Sequence, residues 1–375
     1  MSIRSQKEKK QILVVGQTPP PYHGQAMMTK RLVDAVFQNI TIIHVRMAFS
    51  ESSLEIGKAS WKKIIHMFSI ACHILKYRLK YRHLVLYYMP AGPNKIPVIR
   101  DLVLLSLVRP FFKRTVYHFR AAGISEFLNK QSFVLKELCK WIYGKPTVGI
   151  QLSEKNPADA AFFSAKNIRF IPNGLEDNYI YYNTTENNHS ADTIKILFVG
   201  ILRQDKGFSW LIESLDILIN SGASNFHLYA MGEFASLEYK NEVLTMIKAY
   251  KLEPHVTFLG IKIGSEKWSY FLASDFLCFP TYFDCESFGN VLVEAMMFSL
   301  PVISSEWRGT SDIVKEDTGF LIPVNDKKQL ANKIELLIKD KQLRKEMGTN
   351  ARIRYLKMYT LTAYLNNIES VLESI

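Results

Sequence analysis

The sequence predicts an α/β protein made of two doubly wound domains. Three observations point there. The chain has 375 residues, too many for one ordinary hydrophobic core, so two domains are expected. Its second half alternates short apolar runs with segments of helical periodicity, the pattern of buried parallel strands joined by crossover helices. The first half repeats the theme less regularly.

In the second half, apolar runs at 194–199, 226–230, 256–259, 276–279 and 301–304 read as strands. Between the first two, Phe208, Leu211, Ile212, Leu215, Leu218 and Ile219 recur at helical spacing. Leu330, Ile334, Leu337 and Ile338 do the same further on. Candidate strands of the first half are 12–15, 40–45, 84–88, 115–118, 147–151 and 168–171. Residues 181–193 are polar and rich in Asn and Thr, the composition of a linker. The expected organisation is a first domain over 1–180, a linker over 181–193, a second domain over 194–359, and a helix over 360–375 that packs back on the first domain. Both domains read as Rossmann-like and as facing a cleft, since ligands of such sheets bind outside the carboxyl ends of the strands.

Composition is that of a globular chain, 48% hydrophobic and 22% charged. No apolar run reaches the roughly 18 residues of a membrane-spanning helix. The basic segment 1–11 runs straight into a strand too short for a signal-peptide core. Cys72, Cys139, Cys278 and Cys285 have no metal-ligand spacing, and three lie in apolar contexts, so reduced thiols and a cytoplasmic setting are expected. Charge is unevenly spread: residues 1–180 hold 27 Lys+Arg against 11 Asp+Glu, and 181–375 hold 20 against 24. A basic first half suits a polyanion or an anionic membrane. Nucleic acid is not expected, because no zinc-finger, helix-turn-helix or RNA-binding signature occurs. The stretch 61–82 places Trp61, Ile64, Ile65, Phe68, Cys72 and Leu75 near one helical face. Lys62, Lys63, Lys76, Arg78, Lys80 and Arg82 are interspersed with them. Two readings stay open for it: a helix lying on an anionic membrane at the inner face of the plasma membrane, or a crossover helix with solvated charges.

The chemistry concentrates around Glu286 and Glu294. The run 276–280 reads as a buried strand, and 286–294 as a loop opening into a helix. Free N–H groups and the dipole at a helix start favour a phosphate, and carboxylates accept from sugar and ribose hydroxyls. If the intervening segment is helical, eight residues rise about 12 Å. Glycosidase carboxylates sit about 5–9.5 Å apart, so two contacts on one elongated ligand fit better than paired hydrolysis. Residues 198–207 read as strand, turn and helix start, with Arg203 and Lys206 placed to reach a diphosphate. The loop 19–25, ending in Gly24 and Gln25, follows the first strand, but Gly16 and Gly24 do not form a dinucleotide fingerprint. His118 ends a strand, where it can donate to a sugar hydroxyl or phosphate or serve only structure. Arg120 follows it, and Asn173-Gly174 forms a strand-end turn facing the same cleft.

Together these residues resemble the retaining GT-B glycosyltransferases of family 4, the "glycosyl transferases group 1" domain, most strongly over 194–338. The most specific part is the pair Glu286 and Glu294, eight apart, followed by Ala295, Met296, Pro301 and Val302. The resemblance implies that Glu286 contacts the donor sugar, that Glu294 contacts the ribose, and that backbone amides of Phe288, Gly289, Asn290 and Val291 face the diphosphate. It also implies that the loop from Gly200 to Lys206 and Gly207 holds the diphosphate through Lys206, and that His118 is the strand-end histidine of the acceptor domain. Ile201 stands where the family often has arginine, with Arg203 two residues along. Gly24-Gln25 replaces a Gly-Gly pair, and Asp312 replaces a glutamate.

The expected activity is transfer of a hexose from a UDP- or GDP-sugar, with retention, to a glycan or lipid-linked acceptor in cell-surface polysaccharide synthesis. Glu286, Lys206 and His118 are the expected catalytic residues. Arg203, Lys206, residues 288–291 and Glu294 bind the donor, and Gly24, His118, Arg120 and Asn173 line the acceptor side. No cofactor or metal is expected, because no Asp-x-Asp motif occupies a strand-end loop. A non-catalytic partner subunit and a nucleotide-sugar epimerase of related fold are the competing readings.

Overall fold

The structure, a computed structural model, describes residues 9–20, 24–47, 61–182 and 193–375; the side chains of 61–64 also lie outside the described set. The strands are β1 (Lys10–Gly16), β2 (Ile40–Arg46), β3 (Val85–Tyr88), β4 (Thr115–Phe119), β5 (Val148–Gln151) and β6 (Asn167–Phe170). They continue with β7 (Ile194–Val199), β8 (Phe226–Met231), β9 (Val256–Gly260), β10 (Phe276–Phe279), β11 (Val302–Ser305) and β12 (Gly319–Ile322). The helices begin with α1 (Gly24–Asp34), α2 (Trp61–Lys80), α3 (Lys95–Val108), α4 (Ile124–Asn129), α5 (Phe133–Tyr143), α6 (Asp159–Phe162) and α7 (Tyr179–Tyr182). Then come α8 (Phe208–Asn220), α9 (Leu237–Ala249), α10 (Gly264–Ala273), α11 (Asn290–Met297), α12 (Thr310–Ile313), α13 (Lys327–Lys339), α14 (Lys341–Met358) and α15 (Leu361–Glu373).

The chain forms two compact units, one of residues 1–173 with 364–375, the other of 174–363. The division falls earlier than the predicted linker, of which 183–192 lie outside the described residues. The reason is local. Leu175 N–H donates to the Tyr359 carbonyl at 2.9 Å, and Arg352 grips both Asp177 oxygens at 2.8 and 2.6 Å. The segment after Asn173 is therefore bound to α14 before the polar stretch begins.

The first unit holds a parallel sheet of order β2-β1-β3-β4-β5-β6. Its interior strands read as apolar runs because both faces are covered, and β3 and β4 are buried throughout. Helices α2, α3 and α5 contribute their inner faces to one core with these strands. On α2 the buried stripe is Met67, Ile70, Ala71 and Ile74, whereas Ile65, Phe68 and Cys72 are exposed. The apolar stripe read from Ile65 through Cys72 is thus not the face that meets the sheet, and Cys72 is not a buried thiol. Helix α15 from Tyr364 onward completes this unit. Lys10 Nζ donates to the Leu372 and Glu373 carbonyls at 2.9 and 2.8 Å, and Asn39 donates to Glu373 at 2.9 Å.

The second unit holds a parallel sheet of order β9-β8-β7-β10-β11-β12. In chain order this is third, second, first, fourth, fifth, sixth, the doubly wound order of dinucleotide-binding sheets. Edge strand β12 has no counterpart among the predicted strands, because it is four residues long and only half buried. Side-chain caps start the flanking helices: Ser236 for α9, Asp326 for α13 and Asp340 for α14, each worth about 1 kcal/mol.

Candidate active site

The strand order of the second unit reverses between β7 and β10: β8 lies beyond one and β11 beyond the other. Loops leaving the carboxyl ends of two such strands share the ligand-binding end of the sheet. Here they are residues 200–207 and 280–289, which carry the residues singled out in the sequence.

Backbone contacts lock the two loops together. Gly207 caps α8 with φ 77°, and a Cβ there would lie 2.0 Å from the Pro280 carbonyl oxygen. Only glycine permits that approach. Tyr282 N–H donates to the Asp205 carbonyl at 2.8 Å. The result is a short reach across the strand ends: Lys206 Nζ meets Glu286 Oε2 at 2.5 Å, with both side chains mostly buried. Phe283 supports the cations. Lys206 Nζ lies 4.3 Å and the Arg203 guanidinium carbon 4.9 Å from its ring centroid. Trp307 Nε1 donates to the Phe283 carbonyl at 3.0 Å and holds the loop from behind. Arg203 also pairs with both oxygens of Asp205, at 2.5 and 2.6 Å.

Glu286 precedes the helix and Glu294 lies within it. Gly289 is the N-cap of α11 with φ 80°, and no side chain caps the helix there. Asn290 is the first helical residue, and Val291 and the well-buried Phe288 flank this start. Phe288 packs edge-on against Tyr359 with ring centroids 5.9 Å apart, which anchors the loop. Glu294 pairs with Lys267 of α10 at 2.7 Å. Ile201 is exposed, so the position after Gly200 carries no cation.

The candidate residues of the first unit form a different kind of group. His118 is fully buried, with Nδ1 2.5 Å from the Tyr87 hydroxyl. Burial, and next the nearby Arg120, hold its pKa well below the ordinary value. Arg120 donates to Asn173 Oδ1 at 2.9 Å and to the Tyr364 hydroxyl at 2.5 Å. Both Arg120 and Asn173 are buried, so these groups brace β4 and α15 and do not present open faces. Asp159 fixes the loop after β4 by accepting from Gly123 N–H at 2.9 Å and from Ser125 N–H at 2.9 Å. Gly24 is exposed at the start of α1, and residues 21–23 of its loop lie outside the described residues.

Sequence reasoning missed Asp205, Phe283, Lys267 and Tyr87. Asp205 and Phe283 sit in the recognised loops, beside Lys206 and three residues before Glu286. Lys267 and Tyr87 meet their partners only through tertiary folding, and no spacing marks them. Among the described residues, no group of three or more His, Cys, Asp or Glu could hold a metal ion.

Two parallel doubly wound units, one with paired cation and carboxylate at its strand-order reversal, define an α/β protein of the GT-B class. Residues 183–354 match the family model described as glycosyl transferases group 1. It is 27% identical over 325 residues to the capsular polysaccharide biosynthesis glycosyltransferase CapM of Staphylococcus aureus, covering 83% of this chain and 82% of that protein. It is 27% identical to the D-rhamnosyltransferase WbpZ of Pseudomonas aeruginosa, covering 76% of this chain and 70% of that one. Among solved structures, Anabaena HepE in complex with UDP superposes with a TM-score of 0.76 at 18% identity, covering 97% of this chain and 100% of that one. Sucrose-phosphate synthase of Thermosynechococcus elongatus gives 0.71 at 17% identity, covering 98% and 99%.

Proposed function

We propose that this group 1 glycosyltransferase is a retaining hexosyltransferase of family 4. It moves a sugar from a nucleoside diphosphate sugar to a glycan or lipid-linked acceptor of a cell-surface polysaccharide, at the inner face of the plasma membrane. The observation that carries the reading is the Lys206–Glu286 pair at the reversal of a dinucleotide-type sheet. The capsular relative and the UDP-bound neighbour support the choice of donor and acceptor class.

Breaking the glycosidic bond builds negative charge on the departing diphosphate, and preorganised donors for that charge are the largest catalytic term to expect. Lys206, Arg203 and the N–H groups at the start of α11 supply them. Lys206 moves its charge from Glu286 to the phosphate, and Glu286 then accepts from the hexose hydroxyls. Glu294 accepts from the ribose. The acceptor oxygen bonds to the anomeric carbon as the anomeric carbon–phosphate oxygen bond breaks, and the acceptor proton passes to the leaving phosphate. Metal is not required on this reading, because side-chain cations and helix amides neutralise the diphosphate. His118 is assigned a positioning role through Tyr87, and Arg120 through Asn173 and Tyr364.

A panel of nucleotide sugars tested by thermal shift checks the reading. A true donor at a hundredfold excess over Kd stabilises the fold by about 2.7 kcal/mol, and transfer with that donor follows. No shift with any nucleotide sugar, or an equal shift in Lys206→Ala, overturns it.

A further inference from the structure

We infer that the outer surface of helices α2, α3 and α5 in the first unit docks on an anionic lipid bilayer. The inference rests on the peripheral placement proposed above and is independent of the donor assignment. These helices are neighbours in one layer: α3 packs against both α2 and α5, and the inner faces of all three enter one core. Their outer faces carry large apolar side chains among the polar ones. Helix α2 exposes Ile65, Phe68 and Leu79, all on one stripe, with Leu79 88% exposed. Helix α3 exposes Ile96, Ile99 and Val103 at helical spacing. Helix α5 exposes Phe133, Val134, Leu138 and Trp141, with Phe133 at 74% and Trp141 at 77%. A hollow of about 270 Å³ between α3 and α5 is lined by Leu105, Arg109, Pro110 and Trp141. Arg78 of α2 donates to the Phe111 carbonyl just beyond α3 at 2.7 Å, which joins the third helix to the same surface.

Contiguous exposed apolar groups of this kind mark an interaction surface, and charge selects the occupant. Residues 61–145 contain 16 Lys+Arg and 3 Asp+Glu, while the whole chain has a net charge of +12. Of the three acids, Asp101 is buried against Arg100 and Glu137 is paired with Lys140. Lys76 and Lys80 of α2, Lys113 and Arg114 between α3 and β4, and Lys130 just before α5 are exposed. A second copy of the chain would set like charge against like charge across a symmetric interface. An acidic bilayer instead neutralises the cations and receives aromatic and aliphatic side chains at the headgroup boundary. Among the described residues no helix is long and apolar enough to cross a membrane, so the contact is peripheral.

Flotation of the full chain with phosphatidylcholine vesicles, with and without phosphatidylglycerol, tests the surface. The wild type floats with the anionic vesicles, and raised salt weakens the binding. Phe133→Ser with Trp141→Ser lowers binding about tenfold at any salt. Lys113→Glu with Lys130→Glu lowers it at least about twentyfold at low salt, at about fivefold for each cation lost. All four side chains are exposed, and thermal unfolding confirms that the variants fold. If the wild type floats and both variants float equally well, the surface is wrong while peripheral placement stands. If the wild type does not float, both fall. If the apolar variant abolishes a self-associated species and leaves vesicle binding unchanged, the face is a contact between copies and the inference is overturned.

Discussion

Lys206 Nζ and Glu286 Oε2 lie 2.5 Å apart although 80 residues separate them in the chain. Two strand-end loops, pinned by Gly207 against Pro280, bring them together. Lys206→Ala is expected to lower kcat by about 10²–10³, the cost of losing one donor to a developing anion. Glu286→Gln lowers it too, and the double variant falls short of the product of the two effects, because each single change strands the other charge. Steady-state kinetics on the three variants checks this. Near-normal rates in both single variants would falsify the assignment.

Phe283 lies under both cations of the loop, so Phe283→Leu keeps an apolar side chain and removes the ring's negative face. At roughly 0.5–2 kcal/mol for a cation over a ring, donor binding weakens by about twofold to thirtyfold with little change in melting temperature. Titration calorimetry with the donor separates this from a folding defect.

Gly207→Ala is expected to destabilise the second unit. A left-handed φ costs an L-residue roughly 1–2 kcal/mol, and the Cβ contact with the Pro280 carbonyl adds to that. Unfolding followed by Trp210 or Trp268 fluorescence should shift to lower temperature. An unchanged transition would mean that the two loops are not pinned together.

His118 carries a pH signature. Its folded pKa lies well below 6.5, by burial and then by Arg120. Below about pH 6.5 the unfolded chain takes up a proton that the folded chain refuses. Stability therefore falls with acid, by up to about 1.4 kcal/mol per pH unit, until the folded pKa is reached. His118→Gln flattens this limb relative to the wild type, read from urea midpoints between pH 7 and 5. A parallel acid limb in the variant would show that His118 titrates freely.

Transfer at an unchanged rate in excess chelator is the expectation for a diphosphate neutralised by Lys206 and Arg203. Loss of the rate, restored by a divalent ion, would require a metal.

Much of the fold was legible because strands buried on both faces read as unbroken apolar runs, as in β3 and β10. Half-buried β12 offered no such run. On α2 the outward stripe of Ile65, Phe68 and Cys72 imitates a core face, and sequence periodicity alone does not tell outside from inside. The strand-end loops announced themselves through glycine, lysine and glutamate. The Lys267–Glu294 pair did not, since it depends on how α10 is laid beside α11. Nor did the hydrogen bond between Tyr87 and His118, which belong to adjacent strands and lie 31 residues apart.

Tyr364 and the residues of α15 after it belong to the first unit, although the whole second unit precedes them in the chain. On the ribosome, the nascent first unit must therefore wait with β1 and Arg120 unsealed while residues 174–363 emerge and fold. The hydrogen bonds from Lys10 to the Leu372 and Glu373 carbonyls form only once those residues have emerged. Translation that halts before residue 364 would leave a finished second unit tethered to an open sheet, a ready substrate for chaperones.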